Sequence, residues 1–216
     1  MKHAALGLRA HSGWTALVAL SLDPSSPDGG SPDPSSPDGG SPDEGSPRVL
    51  LRRRPHLVET FTYAFRQPYH TAKKSPLAEA RTFIARVQTE ARHLAYQSIH
   101  SVLTDLRKQG YELKHCGLLL ASGKPLPELA QILASHALIH TADGELFREA
   151  LHHATERCGL AAFTARESEL MEIASHTLHQ QPDKLARRLA DLGHPFGAPW
   201  TQDEKLAALV AWLSLL

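Results

Sequence analysis

Three groups of residues have side chains whose types and spacing could do chemistry. His136 and His140 stand four apart in a segment of helical periodicity, so they share one face, and Asp143 or Glu145 is near enough in sequence to add a carboxylate. Imidazoles and a carboxylate at that spacing are ligands for a divalent metal, and a metal-dependent hydrolase is the activity such a centre serves. There is no HExxH motif, and a zinc site needs three or four converging ligands where only two have local spacing here. Packed or partly exposed histidines on a core helix are the competing account. The second group is the turn at 121–125, ASGKP, where a buried strand would enter a helix and backbone N–H groups can hold an anion or small molecule beside Ser122 and Lys124. Its glycine spacing is wrong for a phosphate-binding loop, and Pro125 replaces the hydroxyl residue that would hold magnesium, so a plain tight turn is the alternative. The third group is basic. Arg9 and His11 on one strand and Arg52, Arg53 and Arg54 on a paired one would make a strip for the phosphates of nucleic acid, or else solubilising edge charge. Side chains alternate along a strand, so at most two of the three consecutive arginines share a face.

These residues need elements to position them. Residues 4–20 and 48–59 together read as one β-hairpin, with apolar strand signals at 15–22 and 49–51. Between those signals DPSSPDGGSP occurs twice in succession, at 23–32 and 33–42. The stretch over 23–47, rich in Pro, Gly, Ser and Asp, cannot bury enough apolar surface to offset its ordering entropy, which predicts a disordered expansion of a strand connection. Such an expansion is tolerated because loop closure costs only logarithmically more with length. LVETFTYAF at 57–65 has the residue types of a third strand or extended arm. Pro76 opens a long amphipathic helix that closes at Gly110, and 114–122 reads as a strand buried on both faces. A helical segment starts near Leu126, breaks near Gly144 and closes at Gly159. A last strand at 161–164 precedes a helix capped by Thr164 and Glu167 and reaching about His179. A helix from Pro182 to Leu192 follows, and then a terminal helix capped by Thr201 and Glu204.

Composition narrows the classes. The chain has 216 residues, 42% of them hydrophobic, enough for one ordinary domain spanning 1–216. Lys and Arg number 23, balancing 23 Asp and Glu, so no global positive field points to nucleic acid and any such affinity must be local. Cys116 and Cys158 form neither a disulfide framework nor a zinc cluster and suit a reducing, cytoplasmic setting. The N-terminal residues lack the pattern of a signal peptide, and no apolar run is long enough to span a membrane.

The order strands, helix, strand, helix, strand, helices describes an α/β fold with a mixed sheet flanked by helices. With the segment Gly7-Leu8-Arg9-Ala10-His11-Ser12-Gly13-Trp14, it resembles the ribonuclease-H-like superfamily, and within it the Holliday-junction resolvase branch. That family opens on a strand reading roughly Gly-Ile-Asp-Pro-Gly, then a turn and a strand with Thr-Gly-Tyr or Gly-Trp. The resemblance implies a nuclease whose clustered carboxylates hold two cations about 4 Å apart to neutralise the attacking and leaving oxygens. Position by position, the first Asp corresponds to Arg9, and the Glu at the end of the buried strand falls among Leu119, Leu120, Ala121 and Ser122. Only the acids of the terminal helix have partners, Asp203 and Glu204. The implied protein is a catalytically degenerate relative without nuclease activity that acts in binding or assembly, with nucleic acid or another protein as partner. No cofactor is implied apart from the divalent metal of the histidine alternative. The family arrangement requires Arg9, Ser122 and Asp203 to meet at one end of the sheet.

Overall fold

The first strand signal turns back on itself within a few residues. β1 (Lys2–His11) passes through Ser12 and Gly13 into β2 (Trp14–Asp23), with His11 opposite Trp14. Gly13 takes φ +82°, a backbone conformation that a two-residue hairpin turn demands and glycine adopts without steric cost. A computed structural model describes residues 1–23, 46–121 and 125–216. β3 (Ser46–Arg53) pairs antiparallel with β2, Asp23 facing Ser46. The hairpin expected from 4–20 plus 48–59 is therefore a three-stranded meander, because the 4–20 segment already contains both strands of the first hairpin. Residues 24–45 of the β2–β3 connection, which hold all of the repeat but Asp23, are outside the described residues, while Asp23, Ser46 and Pro47 belong to the paired strands.

Beyond β3 the chain forms two short helices, α1 (Tyr63–Arg66) and α2 (Pro68–Ala72), and then the long α3 (Leu77–Lys108). β4 (Tyr111–Leu120) is followed by α4 (Leu129–Ala134), α5 (His136–Arg157) and β5 (Ala161–Arg166). The helices α6 (Leu170–Thr177), α7 (Pro182–Asp191) and α8 (Gln202–Leu213) complete the chain. The sheet runs β3-β2-β1-β4-β5, with β4 parallel to β1 and β5 parallel to β4. Helices cover both faces. Leu6, Leu8, Leu17 and Cys116 pack towards α3 and α5, whereas Ala16, Val18, Leu20 and Leu119 pack towards α6, α7 and α8, the alternation that a strand buried on both sides produces. In α3 the buried positions Ala80, Ile84, Val87, Ala91, Ala95, Ile99, Val102 and Leu106 recur every three or four residues, as the periodicity predicts.

Two glycines decide where α8 sits. A Cβ on Gly7 would lie 1.9 Å from the carbonyl oxygen of Ala207, and one on Gly117 would lie 2.4 Å from that of Val210. With no side chain at either position, the backbone of α8 rests directly on β1 and β4, which brings the first turn of α8 beside the end of β1.

Three further sequence expectations are corrected. Residues 57–65 form no strand: Leu57 and Val58 are buried anchors, whereas Glu59, Thr60, Phe61 and Thr62 are exposed and, among the described residues, have no strand to pair with. The helical break falls at Ser135 rather than Gly144. Ser135 has extended backbone and its hydroxyl accepts from the Leu138 N–H, opening α5 as a cap, while the burial of Ala142, Asp143, Leu146 and Phe147 holds Gly144 within the helix. Thr164 and Glu167 do not cap a helix, because β5 continues to Arg166, paired with Leu120, and α6 starts only at Leu170. The Thr201–Glu204 capping box forms as expected. Among the described residues no helix is long and apolar enough to cross a membrane.

Candidate functional site

The end of β1 is where the carboxylates gather. Arg9 leaves the strand with its Nε donating to Glu167 Oε2 at 3.0 Å and Nη2 to Oε1 at 2.9 Å, a fork that matches the carboxylate plane. Its Nη1 donates to Asp203 Oδ1. His11, two residues on and therefore on the same strand face, brings Nε2 to 3.0 Å from the same Asp203 oxygen and 2.5 Å from Arg9 Nη1. Burial holds the His11 imidazole below its ordinary pKa, opposed by the nearby Asp203 charge and reinforced by that of Arg9. His11 stacks on Trp14 at 4.2 Å, and the Arg54 guanidinium lies 5.0 Å over the other ring of that stack. Arg54 closes the cluster by donating from Nε to Glu204 Oε1 at 2.6 Å and from Nη2 to the Thr201 hydroxyl at 2.9 Å.

Glu204 is 2% exposed and carries two duties. Its Oε2 accepts the Thr201 N–H at 2.9 Å, completing the cap of α8, while Oε1 faces Arg54. Burial by itself would raise its pKa, but the hydrogen bonds from Arg54 and from the side chain and backbone of Thr201 outweigh it and hold the carboxyl down at about 2.

The consecutive arginines divide as strand alternation requires. Arg52 and Arg54 turn to the α8 side, Arg52 donating to the carbonyl oxygens of Phe196 and Pro199. Arg53 turns to the α3 side and meets Ser101 Oγ at 3.2 Å and Asp105 Oδ2 at 2.6 Å. Arg9 and Asp203 thus converge, whereas Arg53 stands apart from them. Ser122 and Lys124 lie outside the described residues, and so does the anion site expected there.

A second cluster lies on the helical side. His136 and His140 occupy the first turns of α5, with their Nε2 atoms 3.1 Å apart. His70 joins them from α2, so that one ring nitrogen from each of the three lies within 4.8 Å of the others. Asp143 stands behind this group instead of within it. It is 3% exposed, and its Oδ2 lies 2.5 Å from His70 Nδ1 while Oδ1 accepts the Tyr69 N–H at 2.8 Å. Burial pushes the Asp143 carboxyl up and the hydrogen bonds from His70 and Tyr69 pull it back. Glu145 is elsewhere, paired with Arg148 at 2.9 Å.

Sequence reasoning missed two of these residues. His70 is 66 positions from His136, so no local spacing could associate them. Glu167 follows a strand that ends at Arg166, two residues beyond the expected end, whereas its spacing from Thr164 predicts a helix cap.

No family model matches the chain, and no curated protein matches it. Among solved structures it is similar to RuvC from Thermus thermophilus. One match, described as the Thermus thermophilus RuvC structure, has 10% identity and TM-score 0.49, covering 96% of this chain and 90% of that one. The match to T. thermophilus RuvC in complex with a Holliday junction substrate has 10% identity and TM-score 0.51 over the same shares. The match to the complex and the sheet order β3-β2-β1-β4-β5 give the chain a RuvC-like, ribonuclease-H-like fold.

Proposed function

We propose that this protein is a catalytically degenerate member of the ribonuclease-H-like superfamily that acts in binding or assembly and does not cleave nucleic acid. The observation that carries the reading is the guanidinium of Arg9 lying among Glu167 and Asp203. Two-metal cleavage requires divalent cations among such carboxylates to neutralise the charge that develops on attacking and leaving oxygens. A guanidinium there neutralises the carboxylates permanently, offers no open coordination position and cannot activate a water. His11 and Arg54 complete the closure of the cluster.

Nucleic acid is the partner that the fold favours, since the neighbour of known structure is described in complex with a Holliday junction. Arg9 and Arg54 face the carboxylates of Glu167, Asp203 and Glu204, and Arg52 and Arg53 turn to opposite faces of the sheet, so phosphate contact rests on two separate points, Arg52 with His11 and Arg54 at its margin on the α8 side and Arg53 on the α3 side. Arg53 and Arg54 keep 39% and 41% of their side chains in solvent, accessible to a phosphate. The two free thiols suit a reducing compartment.

The test is a pair of assays on branched, duplex and single-stranded DNA and RNA. With Mg2+ or Mn2+ no cleavage is expected, and turnover by purified wild-type protein that disappears in Asp203→Asn would overturn the degenerate reading. Binding is expected to weaken as salt rises and to fall further in the Arg52→Ala, Arg53→Ala double variant. Absence of binding at every salt concentration would remove nucleic acid and leave protein assembly.

A further inference from the structure

We infer that His70, His136 and His140 form a binding site for a divalent transition-metal ion of the zinc type, with Asp143 as the residue that positions His70. This site is separate from the sheet-end cluster and lies on the opposite helical layer. Three features carry the inference together.

The first is convergence. The three imidazoles come from two helices, α2 and α5, and the nitrogens lie close enough to share one ion. Two nitrogens bound to one tetrahedral zinc at about 2.0–2.1 Å stand about 3.3 Å apart, and the Nε2 atoms of His136 and His140, at hydrogen-bonding distance from each other, are 3.1 Å apart. The second is the orientation of His70. Its Nδ1 is held by Asp143, which leaves Nε2 with the lone pair a metal needs, and an acceptor on the far nitrogen is the usual partner of a ligating histidine. The third is the cost of Asp143 itself. A carboxylate that is 3% exposed is expensive to bury, and here both of its oxygens are spent on fixing α2, one on the Tyr69 backbone and one on His70. A positive ion on the far side of His70 gives that buried charge a purpose.

The donor set selects the ion. Three neutral nitrogens suit Zn2+, Co2+, Ni2+ or Cu2+ and are poor ligands for Mg2+ or Ca2+, which prefer oxygen. Among the described residues no fourth His, Cys, Asp or Glu joins the group, and His136 and His140 are exposed. The fourth position is therefore open to water or to a ligand from a partner. The ion would also reinforce the direct packing of α2 on α5, two helices separated in sequence by α3, β4 and α4.

The test uses the full chain, freed of metal with a chelator and titrated with Co2+, whose visible absorption reports nitrogen coordination, followed by displacement with Zn2+. Wild type is expected to take up one equivalent and to gain thermal stability. His136→Ala and His140→Ala, at exposed positions that leave the core intact, are expected to lose at least tenfold in affinity. Asp143→Asn is expected to lose 10–100-fold while still binding, because it loosens His70 without removing a ligand. The chain has 14 histidines, so His152→Ala serves as the control and is expected to bind like wild type. Wild-type affinity in the His136→Ala, His140→Ala double variant, verified as folded by circular dichroism, would overturn the site, as would failure of wild type to bind.

Discussion

At the end of the sheet, Glu167, Asp203 and Glu204 surround guanidinium groups from β1 and from just beyond β3. At the start of α5, three imidazoles converge in front of one buried carboxylate, and among the described residues no arginine or lysine is paired with them. Both regions bring together side chains of types that can ligate metals, and they do so differently. Carboxylates are charged at neutral pH and repel one another, so a cation must be present for them to cluster. The sheet end has one supplied by the chain itself. Imidazoles are neutral when ligating, can approach without a cation, and so can remain open to one from solution. The cation belongs to the folded chain in the first region and would be a ligand in the second.

The largest expected effect breaks the sheet-end cluster. Arg9→Ala leaves the Glu167 and Asp203 carboxylates facing each other, and a loss of about 3 kcal/mol in urea unfolding is expected, the cost of removing one partner from a partly buried ionic group. Added Mg2+ should return part of that stability in the variant and none in wild type. If Arg9→Ala is as stable as wild type, the guanidinium is not the counter-ion of the cluster.

The next effect tests the histidine region by addition. Zn2+ at 100 times its dissociation constant should raise the unfolding free energy by about 2.7 kcal/mol in wild type. His136→Ala should cancel that gain while changing metal-free stability little, so a metal-free loss comparable to that of Arg9→Ala would erase the contrast between the regions.

A smaller effect is acid sensitivity. The folded-state pKa of Glu204 is lowered from 4.5 to about 2, so its contribution is fully present above pH 4.5 and is lost as pH falls towards 2. With allowance for solvent screening at the exposed Arg54, the loss is about 2 kcal/mol. Glu204→Gln should flatten the stability curve in that window, and an unchanged acid limb in the variant would show that other groups control it.

The smallest effect is at Arg53, whose partner Asp105 is 36% exposed. Arg53→Ala should cost about 0.5 kcal/mol or less, so a markedly weaker salt-dependent affinity for nucleic acid in this variant would report lost phosphate contact and not unfolding.

Much of the scaffold was legible because its signals are local. The α3 stripe, the Thr201–Glu204 cap and the apolar run of β4 depend on neighbours within a few residues, and they appear where periodicity and capping chemistry place them. The errors share a cause. At 57–65 the residue types favour a strand but no partner is available. At Gly144 burial of the surrounding face overrides a weak helix former, and at Thr164 the ladder to β4 competes successfully with a cap. In the candidate sites, the i, i+4 pair was readable and its third imidazole was not. Of the two carboxylates expected as a third ligand, Asp143 sits behind His70 and Glu145 pairs with Arg148.

Taken alone, the sequence determined the order of elements, the absence of an acid at position 9, the two acids opening the terminal helix and the pair of histidines on one helical face, since each is a matter of residue identity or short-range spacing. Only the tertiary structure decided that Arg9 reaches Asp203 across 194 positions and that His70 reaches α5 across 66. Those meetings depend on strand register and on how closely α8 and α2 pack, set here by Gly7, Gly117 and the Asp143 carboxylate, and long-range packing leaves no periodic trace in the chain.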